Sequence, residues 1–305
     1  MTADTAYCDW IAVDWGTSRL RAWAMAGVGL DARPKAEVSS EAGMSTLDRA
    51  GFEPALLDLV SPWLGAGQTE VVACGMVGSR QGWVEAPYRP VPAPPPSDPV
   101  IAPTVDPRIA VRVLPGLRQE NPPDVMRGEE TQIAGFLATR PGFDGVLCLP
   151  GTHTKWAQIS AGEVVSFRTF MTGELFALVS DHSLLRHTIG PGWDDAAFAD
   201  ALSDAIARPE AMAARLFALR AEGLLTGLAP STARARASGL LVGAELAAAR
   251  PYWLGNAVAV VDAPAQSKLY TTALRLQGLV PDEAPGDAMV LAGLAAAQAV
   301  LEPTP

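Results

Sequence analysis

The sequence predicts an α/β fold of two domains, each a mixed central sheet flanked by helices, with an interdomain cleft between them. Three observations carry this. The chain has 305 residues, above the size at which one hydrophobic core usually stops growing. Short apolar strand-like runs are interspersed with longer helical patterns. A strand-turn-strand segment rich in Gly and Thr occurs twice, once in each half, although no short-period repeat is present.

Taken in order, residues 10–41 read as two or three strands, and residues 46–64 as a helix with apolar positions at Leu47, Leu56, Leu57 and Val60. Residues 70–74 make a short strand. Nine prolines lie between Pro87 and Pro107, which excludes a helix or central strand and predicts an extended loop over the first domain. A helix is expected over 124–140, then a buried strand over 145–150. Residues 152–160 and 163–172 read as paired strands, followed by mostly helical sequence to residue 250. A strand over 257–261, a helix over 265–278 and a terminal helix over 287–301 complete the chain. The domains are therefore drawn as 1–138 and 139–305.

Composition narrows the function. The formal charge is −10, and no basic patch is visible, which argues against nucleic acid and anionic membranes as partners. Apolar stretches are broken before the roughly 18 residues a membrane span needs, and the N-terminus has no secretory pattern, so a cytoplasmic protein with small-molecule partners is expected. The three cysteines, Cys8, Cys74 and Cys148, lack metal or disulfide spacing and read as buried or incidental thiols. His182 and His187 are off the spacing that puts two ligands on one helical face. An anionic ligand would have to be met by local cations: Arg19, Arg80, Arg127, Lys155 or Arg168.

The chemistry concentrates in a few turns. Asp14-Trp15-Gly16-Thr17-Ser18 follows the apolar Ile11-Ala12-Val13 and leads into Arg19. Gly16 lets backbone approach a phosphate, and Thr17 and Ser18 add donors. Asp14 cannot bind phosphate directly and is suited to holding the Mg²⁺ that bridges phosphates. Gly151-Thr152-His153-Thr154-Lys155 supplies a second turn able to clasp phosphates, with His153 as a hydrogen bonder and Lys155 either facing phosphate or exposed on its strand. Glu129-Glu130 opens a helix ahead of this turn. Phosphoryl transfer to a hydroxyl needs a carboxylate held rigidly near it, although acids in a first helical turn are also favoured by the helix dipole alone. Ser79-Arg80-Gln81-Gly82-Trp83 joins flexible backbone to a planar cation that can grip a carboxylate at two points. The run from Asp262 through Ala263 to Ser267 takes a strand into a helix N-terminus, a place for nucleotide contacts; Asp262 stands where close backbone approach would favour Gly.

Together these segments resemble the sugar kinases of the actin, hexokinase and Hsp70 superfamily. More closely, the segments 14–23, 74–92, 127–135, 149–156 and 170–183 are similar to the 2-keto-3-deoxy-galactonokinase family, with residues 76–83 and 170–176 as the most specific strings. The resemblance covers nearly the whole chain. It implies two actin-like (ribonuclease H-like) domains and ATP- and Mg²⁺-dependent phosphorylation of the 6-hydroxyl of 2-dehydro-3-deoxy-D-galactonate, in galactonate breakdown. It further implies that Asp14 serves the metal, that Gly16, Thr17 and Ser18 meet phosphate and that Gly151 and Thr152 meet it from the other side; Arg19, His153, Lys155, Ala263 and Ser267, by their places in these segments, are the further candidates for contact with ATP. Glu129 or Glu130 would be the base, a choice left open because related kinases use Asp. Ser79, Arg80, Gln81, Trp83 and Arg168 would meet the sugar acid. A homodimer is a candidate assembly. The competing readings are a kinase of the same architecture with another sugar, sugar acid or amino sugar, and a non-kinase actin-like ATPase; ADP release that depends on a small sugar acid separates them.

Overall fold

The computed structural model describes residues 7–95, 98–262 and 264–301, without the side chains of 264–266. By its contacts the chain divides into two units. One takes the described residues of Met1–Asp144, Ile159–Ser166 and Gly286–Pro305; the other takes Gly145–Gln158 and Phe167–Pro285. The expected division at 138/139 assigned every later residue to one domain. The structure groups the C-terminal helix and residues 159–166 with the first unit instead.

The first unit begins with β1 (Trp10–Trp15), β2 (Leu20–Ala26), β3 (Arg33–Ser40) and β4 (Thr69–Gly75). Its remaining strands are β5 (Arg89–Pro90), β6 (Val100–Ile101), β7 (Ile109–Val113), β8 (Leu117–Glu120) and β9 (Pro123–Met126). The main sheet runs β3-β2-β1-β4-β7-β6, with β1 antiparallel to β2 and parallel to β4. This is the ribonuclease H-like order. The helix expected over 46–64 is confined to Phe52–Val60, because Asp48 Oδ1 accepts the Gly51 N–H at 2.9 Å and turns the chain just before it.

β1 shows why the site forms where it does. Side chains alternate across a strand, so Ile11, Val13 and Trp15 pack on Phe52, Leu56 and Val60, while Trp10 and Ala12 pack on Val290 and Leu294 of the C-terminal helix Gly286–Ala299. Asp14 belongs to the second set by register, at the end of the strand. Burying it mid-strand would leave a charge without water; at the edge it stays partly exposed.

The helix expected over 124–140 starts only at Glu129 and ends at Thr139. Residues 124–126 instead belong to β9, paired antiparallel with β8. Gly128, at φ 109°, makes the break between strand and helix.

The other large sheet is built from β10 (Gly145–Leu149), β11 (Thr154–Ser160), β12 (Glu163–Phe170), β13 (Val258–Asp262) and β14 (Asp282–Pro285), in the order β12-β11-β10-β13-β14; all of it belongs to the second unit except the β11 and β12 residues within 159–166. β10, β13 and β14 are mutually parallel neighbours, so the sheet repeats the order of the first. Its core joins Val146, Cys148 and Trp156 to Leu246 of the helix Pro230–Ala248 and Leu274 of the helix Pro264–Leu276. All three cysteines are buried and unpaired. No helix among the described residues is long and apolar enough to cross a membrane.

Candidate active site

In the first unit, the β1–β2 turn is closed by Gly16 N–H donating to the Arg19 carbonyl at 2.9 Å. Thr17, Ser18 and Arg19 are exposed on it. The chain after β3 braces the turn from behind: Met44 N–H donates to the Gly16 carbonyl and Ser45 N–H to the Thr17 carbonyl, at 3.0 and 2.9 Å. Gly43 lies so close to Thr17 and Ser18 that a Cβ would collide with their backbone. Arg19 pairs with Glu41 at 3.4 Å, but both are largely exposed, so the pair adds little stability and leaves the cation available.

Asp14 faces a pocket of about 310 Å³ lined also by Gly16, Ser18, Arg19, Arg21 and Glu41. Its Oδ2 accepts from Arg21 at 2.6 Å, and the same guanidinium reaches Asp287 Oδ1 at 2.5 Å. Burial alone would lower the Arg21 pKa, but the two carboxylates raise it, so Arg21 is a fixed cation beside the turn. Arg21 and Asp287 were not singled out in the sequence. An Arg inside an otherwise apolar strand was the available signal for the first; the second is an ordinary first-turn acid whose partner lies 266 positions away.

The end of β4 brings the acidic helix to Asp14. Gly75 has φ 91°, and a side chain on it would meet the Trp15 carbonyl oxygen at 2.7 Å and Asp14 Oδ1 at 3.4 Å. Gly128 sits against it, since a Cβ on Gly128 would be 3.6 Å from Gly75 Cα. Two glycines thus let the backbones of residues 75 and 128 meet, and Glu129 begins its helix beside the end of the Asp14 strand.

The two glutamates differ sharply. Glu129 is half-buried, and its Oε2 accepts the Arg127 N–H at 3.1 Å. Glu130 is 1% exposed, and both its oxygens accept from the Gly128 N–H, at 2.8 and 2.7 Å. Burial, reinforced by the neighbouring Glu129 charge, pushes the Glu130 carboxyl up to about 8. A neutral Glu130 leaves Glu129 as the negative charge at the helix start.

In the second unit, the β10–β11 turn has the same bracing. Thr152 and His153 are exposed and Gly151 is half-buried. Gly173, three residues past the end of β12 as Gly43 is past β3, again lies where a Cβ would strike backbone, here the Gly151 carbonyl. Glu174 N–H donates to the Thr152 carbonyl at 2.9 Å, and the Glu174 carboxylate meets His153 Nε2 at 2.5 Å. Each unit therefore presents an exposed hydroxyl-bearing turn held from beneath by a glycine after the third strand.

A family model described as 2-keto-3-deoxy-galactonokinase matches residues 14–297. The chain belongs to the 2-keto-3-deoxy-galactonokinase family. It is 39% identical to a Rhizobium meliloti (strain 1021) protein named Probable 2-dehydro-3-deoxygalactonokinase DgoK1, over 96% of this chain and 97% of that one. It is 36% identical to the 2-dehydro-3-deoxygalactonokinase of Escherichia coli (strain K12), over 93% of this chain and 96% of that one. The crystal structure of a Sinorhizobium meliloti protein provisionally given the same activity superposes with a TM-score of 0.87 at 39% identity, covering 94% and 97% of the two chains. The family match opens at Asp14 itself.

The remaining expected residues of this 2-keto-3-deoxy-galactonokinase family member divide. Arg80 and Gln81 are exposed, and the Arg80 carbonyl is held by Arg49 Nη2 at 3.1 Å. Ser79 is 5% exposed, with a hydroxyl that has no partner among the described residues. Trp83 is corrected: it is 3% exposed, stacks on Phe52 at 6.3 Å and donates Nε1–H to the Pro103 carbonyl, so its ring belongs to the core of the first unit. Its large apolar face is better buried than offered to a polar sugar acid. Arg168 is exposed on β12, in the second unit. Lys155 is 5% exposed, which removes the reading of it as an exposed strand residue. Ser267 is buried and spends its hydroxyl on Glu283 at 3.3 Å. Ala263 lies outside the described residues.

Arg127 carries more than a local charge. Its Nη2 donates to the Ala86 carbonyl at 2.7 Å and its guanidinium lies 4.2 Å from the Tyr88 ring centre. It therefore ties the loop that follows β4 to the start of the Glu129 helix.

Proposed function

We propose that this chain transfers the γ-phosphoryl group of ATP to the 6-hydroxyl of 2-dehydro-3-deoxygalactonate, with Glu129 as general base. The activity is that of the family; the residue roles are the reading the geometry supports best. The observation that carries it is the meeting of residues 75 and 128, which puts a half-exposed carboxylate on a rigid helix start beside the strand end that bears Asp14. Glu129 takes the hydroxyl proton as the sugar oxygen attacks phosphorus, and the bond to the ADP oxygen breaks in line.

The turns at Gly16–Ser18 and Gly151–His153 supply phosphate donors in this reading. Mg²⁺ fits as a shared ion rather than a caged one. Among the described residues no group of three or more acidic, His or Cys side chains stands ready to hold a metal, whereas Mg²⁺ is commonly held by one or two carboxylates, water and phosphate oxygens. Asp14 would hold it, and the ion supplies neutralisation of phosphate charge when bound. Arg80 grips the substrate carboxylate. The reading sets the enzyme in the cytoplasm, with a homodimer as its candidate assembly.

The test is ADP formation by Glu129→Gln. It loses on the order of 10²–10⁴ in kcat while KM for ATP stays within about two-fold, and Glu130→Gln loses less. The reverse order would make Glu130 the base.

A further inference from the structure

The buried carboxylate Glu245 has no part in the chemistry above. It lies in the Ala- and Leu-rich helix Pro230–Ala248 and is 3% exposed. Three donors from three other elements converge on it. Trp156 Nε1–H of β11 reaches Oε1 at 2.8 Å, and Tyr270 O–H of the helix Pro264–Leu276 reaches Oε2 at 2.8 Å. The Thr172 hydroxyl, at the start of the helix Thr172–Ala177, donates as well. Tyr270 O in turn lies 2.8 Å from Thr154 Oγ1. With Tyr270 giving its proton to an ionised Glu245, the Thr154 hydroxyl becomes the donor to Tyr270, and the chain of hydrogen bonds has one direction.

Every donor leads back to one place. Thr154 and Trp156 are alternate residues of the strand leaving the Gly151 turn, so they share a face. Thr172 directly precedes Gly173, which is pressed on the Gly151 carbonyl, and Glu174, which holds Thr152 and His153. An apolar side chain at 245 would leave the Trp156 Nε1–H and the Thr172 hydroxyl without this buried acceptor and Tyr270 with Thr154 alone, a costly loss. A carboxylate satisfies all three, and in doing so fixes the spacing between the strand after the turn and the segment beneath it.

We propose that Glu245 is a positioning residue for the second phosphate turn, setting its grip on ATP from within the core; this rests on the reading of residues 151–153 as phosphate contacts. The readout is the split between the two Michaelis constants in ADP-formation assays of the full chain. Glu245→Gln keeps the shape but sets an NH₂ donor against Trp156 Nε1–H or, turned the other way, against Tyr270, whose hydroxyl must then reverse and donate to Thr154; either way charge-assisted hydrogen bonds to the carboxylate become neutral ones. It should raise KM for ATP about 3- to 10-fold and leave KM for the sugar acid within about two-fold. Tyr270→Phe removes the hydroxyl that links Glu245 to Thr154, losing both of its hydrogen bonds, and should raise KM for ATP in the same direction, which keeps the test open should Glu245→Gln fail to fold. Thr152→Ala serves as the control on the turn itself. If Thr152→Ala raises KM for ATP while the foldable variants of Glu245 and Tyr270 leave it unchanged or raise both constants together, the positioning role is overturned and the turn reading stands. If Thr152→Ala leaves KM for ATP unchanged, the turn reading fails and the proposal falls with it.

Discussion

Replacing Glu130 by Gln should flatten the dependence of stability on pH. In the folded chain the Glu130 carboxyl titrates at about 8, against 4.5 for an ordinary Glu, because burial disfavours its charge and Glu129 adds repulsion. The fold thus binds this proton more tightly than the unfolded chain does. The stabilisation is complete below pH 4.5 and is lost as pH rises through about 8. At 1.36 kcal/mol per pH unit, the interval from 4.5 to about 8 corresponds to roughly 5 kcal/mol. That is an upper figure, since a buried group that ionises draws water and N–H donors toward itself. Urea unfolding at pH 5, 7 and 9 measures it. The wild type should lose several kcal/mol across this range, and Glu130→Gln should lose about 2–4 kcal/mol less, because an amide has no proton to release. Glu245, pushed up to about 7 by burial, leaves a residual slope of the same sign in the variant. Parallel slopes for wild type and variant would refute the burial argument.

Other substitutions probe the turns and the substrate grip. Asp14→Asn should cut kcat by at least about 10² at saturating Mg²⁺ with the fold intact, since an amide is a poor ligand for a hard cation; activity within a few-fold of wild type refutes the metal role. Arg80→Lys should lower kcat/KM for the sugar acid about 10- to 150-fold, the worth of a charged hydrogen bond, and leave KM for ATP alone; equal losses on a neutral analogue would make Arg80 a loop residue. Gly173→Ala should lower Tm and raise KM for ATP together, as its Cβ meets the Gly151 carbonyl at a cost of about 1–3 kcal/mol; an unchanged KM for ATP would uncouple the brace from the turn.

Much of the fold was legible because β1, β4 and β10 each carry a run of four apolar residues that ends at a glycine or a polar turn, too short for a helix. The helix over 124–140 was misplaced for a physical reason. β9 pairs with Leu117-Arg118-Gln119-Glu120, itself polar and half exposed, so neither strand shows clear apolar alternation and Asp124, ahead of the helix, reads as the acid of its first turn. β14, Asp-Glu-Ala-Pro, has no strand signature and owes its place to pairing with β13. In the site, Asp14, Glu129 and the hydroxyl turns were visible as residue types in sequence order. Arg21, Asp287 and Gly173 were not, because their roles come from partners far along the chain. Trp83 was misread because a ring in a loop looks available until the core it fills is known, whereas Glu245 left a signal: a lone acid on the apolar part of a helix.

The most direct measurement of the central claim is ADP formation by wild type and Glu129→Gln with ATP and a panel of 2-keto-3-deoxy sugar acids, with simple aldoses as controls. Turnover is expected with 2-dehydro-3-deoxygalactonate, with a product phosphorylated at the 6-position, no comparable turnover with the aldoses, and a loss of about 10²–10⁴ in kcat on losing the carboxylate. ADP release that is indifferent to the sugar acid, or that survives Glu129→Gln unchanged, would contradict it.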